Sequence, residues 1–227
     1  MKVFVLNGWA ASADAWKLCP FIKKYNARIF SYLELLDGKA EEALAEAEEK
    51  VLLVGWSMGG SMSLKLINRY CEKIVGLVLV AATPRMMEEK ETLWQGMSER
   101  RMNAFFRGAE LMQGESLFGV PEGKPNPYIS DNTDNLQRGI AFLRSTDVRS
   151  ELLENKEKFN FPVFIFQSEK DGIVKKGNAD WLKKEIFPHA TMQIIEGNEH
   201  ALSIMIPGEI NEAVDSCVAI ASKGENS

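Results

Sequence analysis

No apolar run in this 227-residue chain approaches the roughly 20 residues that a membrane-spanning helix needs, so no transmembrane segment is expected. Residues 1–6 are too short a run for the core of a secretory signal and lead into Asn7-Gly8 rather than a cleavage site, which makes the cytoplasm the expected location. Cysteine is scarce and unpaired. Cys19, Cys71 and Cys217 are widely spaced, with no C-x-x-C, which argues against a disulfide scaffold or zinc site; they read as reduced, mostly buried small hydrophobes. An excess of positive charge is also missing. The 27 Lys and Arg against 32 Asp and Glu leave −5, with no global attraction to nucleic acid or to an anionic membrane surface. Histidine occurs twice, so any search for an imidazole base is confined to His189 and His200.

What is present is ordinary for a globular protein: 45% hydrophobic and 26% charged residues, in a length that fits one sizeable core. Apolar runs at 2–6, 27–32, 51–56, 75–81, 162–167 and 191–196 read as strands buried on both faces. Helical patterns fill 12–25, 39–50, 57–70, 176–187 and 207–221, the last opening with a proline suited to a first turn. Such alternation predicts an α/β fold, a mostly parallel sheet with helices on both faces. It lapses after Thr83. Helix-like stretches at 87–114 and 131–143, divided by a Gly/Pro-rich joint at 119–127, predict a helical lid insertion over 83–159 between core parts 1–82 and 160–227 of one structural domain. The acidic run 41–49 reads as a solvated helix face.

Residues 51–60, Val-Leu-Leu-Val-Gly-Trp-Ser-Met-Gly-Gly, run a strand through G-x-S-x-G straight into a helical pattern, the context that marks a nucleophile elbow. The turn forces the serine into a strained conformation, and a Cβ at Gly55 or Gly59 is expected to collide with neighbouring backbone. Ser57 is therefore the expected nucleophile of an α/β-hydrolase fold. A serine hydroxyl needs a neighbouring base. His200 directly follows the last strand, on the loop-bearing edge of the sheet, whereas His189 precedes that strand in a turn. The orienting acid is expected after the fifth strand, where Asp171 stands with Glu169 as its competitor. Two oxyanion donors are expected: the backbone N–H of Met58, and that of Trp9, with Gly8 permitting the turn and the Trp9 indole left to wall the pocket. No metal or cofactor is expected.

With these residues in order, the chain resembles the pimeloyl-[acyl-carrier protein] methyl ester carboxylesterase family of biotin synthesis. Asn7-Gly8-Trp9 with Trp16, the elbow at 55–60, the stretch L-R-x-T-D-x-R at 143–149, Asp171-Gly172-Ile173-Val174 and His200-Ala201 carry the resemblance over nearly the whole chain. It implies Ser57, Asp171 and His200 as the triad, Trp9, Ser57 and Met58 at the substrate, and Phe106 as a wall of the acyl channel. Asn7 stands where the family has histidine, Ser168 where it has glycine, and the family's N-terminal hairpin has no counterpart.

The expected lid carries Arg100, Arg101, Arg107, Arg138, Arg144 and Arg149 on an acidic chain, with an apolar set of Trp94, Met97, Met102, Phe105, Phe106, Leu111 and Met112 fit for an aliphatic chain. The resemblance implies that lid arginines, Arg101, Arg107, Arg138 and Arg144 among them, dock an acyl-carrier protein; pairing with Glu99, Glu110 and Asp147 is the alternative. The expected activity is hydrolysis of a methyl or short alkyl ester by a monomer, with no nucleic-acid or membrane partner. A general esterase, thioesterase or C–C hydrolase, and outside catalysis a hydrolase-like binding protein, are the alternatives.

Overall fold

The computed structural model describes residues 1–111 and 117–224. Six parallel strands form one sheet in the order β2-β1-β3-β4-β5-β6: β1 (Lys2–Leu6), β2 (Arg28–Phe30), β3 (Val51–Trp56), β4 (Ile74–Val80), β5 (Val163–Ser168) and β6 (Thr191–Ile195). The helices are α1 (Phe21–Lys24), α2 (Tyr32–Leu36), α3 (Lys39–Glu46), α4 (Met58–Tyr70), α5 (Glu99–Leu111), α6 (Thr133–Ser145), α7 (Arg149–Asn155), α8 (Lys176–Trp181), α9 (Leu202–Met205) and α10 (Pro207–Gly224).

The two middle strands, β3 and β4, carry no polar side chain because both faces of the sheet are covered there. Phe4, Leu6, Leu53, Leu77, Leu79 and Ile165 meet Leu44 of α3, Leu64 and Ile67 of α4 and Ala179 of α8. Val3, Val5, Leu52, Val54, Val78 and Val80 face the other way, against Phe21 of α1, Ile204 of α9 and Ile210 and Val214 of α10. Each such burial contributes roughly 1.5–3 kcal/mol relative to exposure. Burial on both faces fails at the edge: β6 leaves Thr191, Gln193 and Ile194 exposed.

Three local expectations give way. The helix expected over 12–25 is a 3-10 turn, Ala13–Trp16, capped by Ser12, followed by α1. Pro20, without an N–H to donate, separates the two. Tyr32 belongs to α2 rather than β2, since Ser31 and Glu34 form a capping box that starts a helix there. Within 87–114 the helix begins only at Glu99, because 87–97 folds back on itself through bridges Met87 to Met97 and Glu89 to Trp94. Gly96 is required there: a Cβ would lie 2.3 Å from Glu88 N.

Between β4 and β5 the described residues contribute α5, α6 and α7 and no strand to the sheet. This segment is tied to the core by a Tyr32 hydroxyl donating to Asp131, by an Arg138–Asp37 ion pair and by α6 against α2. Met112 lies outside the described residues.

Strand order positions the site. The chain leaves β1 for one edge of the sheet and β3 for the other, so the loops after these adjacent strands flank a topological switch point, where open α/β sheets bind ligands. Leu6 pairs with Gly55, and Ser168 with Ile195, which brings loops 7–11 and 56–58 together and loops 169–172 and 196–200 together.

Candidate active site

Ser57 sits between β3 and α4 at φ 54°, ψ −118°, a backbone conformation that costs about 1–3 kcal/mol. Its N–H donates to Val80 O at 2.9 Å, which fixes the turn against β4. The glycines around it are steric requirements. A Cβ on Gly59 would lie 1.9 Å from Leu6 O, on Gly55 2.7 Å from Gly59 O, and on Gly60 2.4 Å from Ala82 Cβ.

His200 Nε2 lies 2.8 Å from Ser57 Oγ, and His200 Nδ1 lies 2.8 Å from Asp171 Oδ2. A carboxylate only accepts, so Nδ1–H donates to Asp171 and Nε2 is left to accept the serine O–H. All three side chains are buried. Asp171 is held independently of the histidine: its Oδ1 accepts the N–H of Ile173 at 2.7 Å and of Val174 at 3.1 Å. The competitors lie elsewhere. Glu169 is exposed, and His189 meets Phe161 O at 3.0 Å, before the start of β5 and so at the opposite edge of the sheet.

The amides of Trp9 and Met58 donate to no acceptor among the described residues. Met58 is the first residue of α4, where a helix N–H has no intrahelical partner and the dipole favours negative charge. The loop bearing Trp9 is built by Asn7. Its amide nitrogen donates to Ala11 O and Ser12 O, and its oxygen accepts from Gly8 N and the Trp16 indole.

Two expectations about this loop are corrected. Positive φ falls at Ala10, not Gly8; Gly8 lacks a side chain because a Cβ would sit 3.0 Å from the Trp56 ring. The Trp9 indole is not free. It donates to Leu136 O at 3.0 Å, its ring lies 5.2 Å from that of Phe105, and a Cβ on Gly139 would approach it to 2.1 Å. Trp9 thus locks the loop after β1 onto α5 and α6. Phe106 is half-buried against the α4-side core, and Phe105 is the ring that reaches Trp9.

The arginines divide. Arg101 donates to Gly172 O at 2.7 Å, Arg144 pairs with Glu99 and Asn103, and Arg138 with Asp37. Arg100 and Arg107 have no polar partner among the described residues and line one groove of α5 with Asn103, Ala104, Gly108 and Leu111. Arg149 joins Arg85, Asp147 and Glu89 and covers the Trp94 ring. Burial works to raise the Asp147 pKa, but hydrogen bonds from Arg149 and Arg85 outweigh it and hold the carboxyl at about 2.

Several supports are invisible to motif reading. The Trp56 indole donates to His200 O at 2.9 Å, Phe118 O accepts from the N–H groups of His200 and Ala201, and Ser168 Oγ donates to Glu199 O. Gln167 donates to Asp171. A polar pair closing an apolar strand was the one signal available for Gln167 and Ser168.

The family model described as serine aminopeptidase, S33 (Hydrolase_4) matches residues 38–204. The chain belongs to this family. It is a serine hydrolase of the α/β-hydrolase fold. The S33 chain is similar to a pimeloyl-[acyl-carrier protein] methyl ester esterase of Serratia marcescens, at 24% identity over 95% of this chain and 92% of the relative, and to one of Vibrio atlanticus, at 26% over 87% and 86%. In fold it is similar to a bromoperoxidase from Bacillus anthracis, with TM-score 0.73 and 20% identity over 96% of this chain and 92% of that one. An esterase from Exiguobacterium antarcticum gives TM-score 0.73 at 16% identity with the same coverage.

Proposed function

We propose that the chain is a carboxylesterase that cleaves a methyl or short alkyl ester of an acyl chain, with the pimeloyl-[acyl-carrier protein] methyl ester of biotin synthesis as its substrate. The observation that carries the esterase reading is the unbroken hydrogen-bonded line Ser57–His200–Asp171 beside two undirected backbone donors. The substrate reading draws its support from the similar Serratia and Vibrio esterases.

Ser57 Oγ attacks the acyl carbon as His200 Nε2 takes its proton, and Asp171 stabilises the imidazolium that forms. The oxygen of the tetrahedral intermediate takes hydrogen bonds from the amides of Trp9 and Met58, each worth on the order of a hundredfold in rate. Collapse breaks the bond to the alkoxy group, which leaves as alcohol with the proton from His200. Water, deprotonated by the same imidazole, then releases the acid and restores Ser57. Residues 83–159 serve as the lid, Phe105 and Phe106 line its acyl side, and Arg100 and Arg107, whose guanidinium groups have no polar partner among the described residues, meet the acidic carrier.

The test has two arms. The parent protein is expected to be labelled by a fluorophosphonate and to turn over p-nitrophenyl butyrate, and Ser57→Ala to do neither; an unlabelled, inert parent overturns the enzyme reading. Pimeloyl-carrier methyl ester is then assayed directly and by complementation of a biotin-requiring strain lacking its methyl esterase. Failure of both with simple esters still cleaved returns the chain to the general esterases.

A further inference from the structure

Gln167 is fully buried near the end of β5, after the apolar Val163, Phe164, Ile165 and Phe166. Its amide nitrogen lies 3.2 Å from Ser168 O, 3.3 Å from Asp171 Oδ2 and 3.0 Å from Val174 O. Its Oε1 is buried with no hydrogen-bond partner. Exchanging oxygen and nitrogen would set the oxygen against two carbonyls and a carboxylate, all acceptors, so the amide has one workable orientation. An unpartnered buried oxygen is unfavourable, and an aliphatic side chain would avoid it. The residue's one chemical contribution here is its N–H.

We propose that Gln167 is a positioning residue for the base: by donating to Asp171 Oδ2, the oxygen that also accepts His200 Nδ1–H, it orients the carboxylate and limits the basicity that His200 draws from it. The inference rests on reading Ser57, His200 and Asp171 as the catalytic groups. Asp171 accepts from Ile173 and Val174 on one oxygen and from Gln167 and His200 on the other. Each donor that stabilises the carboxylate takes density from its bond to the imidazole. An imidazole held less tightly by the carboxylate returns its proton more readily to the leaving alkoxide.

No other ionisable side chain bonds Asp171 or His200 among the described residues, apart from Ser57. Glu169 and Lys170 are exposed on the acid loop, and Glu199 is half-buried beside His200. From α5, Arg101 reaches the Gly172 carbonyl and not the carboxylate. Trp56 and Phe118, the rings beside His200, are uncharged. The Gln167 donor is therefore separable from neighbouring charges.

The test is Gln167→Met, which keeps length and removes the donor, and Gln167→Asn, which withdraws the amide by one methylene. The titration of His200 is followed by NMR in a His189→Gln background, which leaves one histidine. Losing the donor leaves Asp171 more basic towards His200, so the His200 midpoint is expected to rise by about half a pH unit, roughly a threefold gain in proton affinity. The acid limb of kcat/KM moves up with it while KM stays near the parent value. A merely structural defect that lets Asp171 drift away lowers the midpoint instead. An unchanged or lowered midpoint in folded variants overturns the inference; should Gln167→Met fail to fold, Gln167→Asn carries the same test. Because the titration needs no turnover, a parent inert on esters overturns the esterase reading and still leaves the role of Gln167 decided.

Discussion

Trp9 shows how much one side chain can be asked to do. Its amide N–H donates to no acceptor among the described residues, while its indole, seated on Leu136 O and in the space left by Gly139, fixes where that amide stands. Gly139→Ala puts a Cβ 2.1 Å from the indole, so ring or helix must shift. Overpacking of this kind costs about 1–3 kcal/mol. The expected outcome is a lower urea midpoint together with a kcat reduced about tenfold for p-nitrophenyl butyrate, since an oxyanion donor displaced by a fraction of an ångström loses much of its worth. A variant with lowered stability and unchanged kcat would show that Trp9 N–H takes no part in the reaction. The cysteines give a second prediction. Burial pushes the thiols of Cys19 and Cys217 up to about 12, and Cys71 is the partly exposed one. Iodoacetamide at neutral pH is expected to modify Cys71 alone in the folded protein and all three once it is denatured, as read by intact mass.

Elements were legible in the sequence where one physical rule decided them. β3, β4 and the elbow were readable because apolar runs and obligatory glycines leave no alternative. The stretch 87–97 was not, because its helical spacing of apolar residues is equally served by a folded-back loop whose form is set by partners far along the chain. Arg85 and Arg149 hold that loop through Glu89 and Asp147, and no local pattern announces a cluster spanning residues 85 to 149. The site followed the same division: Ser57, His200 and Asp171 follow from chain order, whereas Gln167, Phe118 O and Leu136 O act through tertiary contacts alone. The cluster predicts a pH dependence. Asp147 in the folded chain sits at about 2, below its usual 3.8, so its contribution is complete above about pH 4 and disappears as pH falls towards 2. Asp147→Asn is therefore expected to lower Tm at pH 6 and to make a much smaller difference near pH 2; a Tm gap independent of pH would mean that the ion pairs contribute nothing.

At the scale of the molecule, the chain's charge and its proposed partner are in tension. A net −5 repels an acidic carrier at long range, yet ionic strength near 0.15 M screens charges beyond about 8 Å, so docking is decided by the groups on the contact face. Among the described residues α5 offers Arg100 and Arg107, one helical face with no internal partner, whereas Arg101, Arg138 and Arg144 are already spent on Gly172, Asp37 and Glu99. Of the four arginines expected from the sequence, Arg107 alone has no polar partner among the described residues, and Arg100 stands beside it in the same groove. Arg107→Glu is expected to raise KM for a carrier-borne ester about tenfold, chiefly through slower association, and to leave KM for p-nitrophenyl butyrate unchanged. Arg138→Gln, which removes a cation already neutralised by Asp37, is expected to change neither. Raising salt should erase the difference between parent and Arg107→Glu, because both then dock without electrostatic help. Equal KM values for parent and Arg107→Glu at low salt would remove α5 as the docking face and leave the ester pocket to recognise the acyl chain unaided.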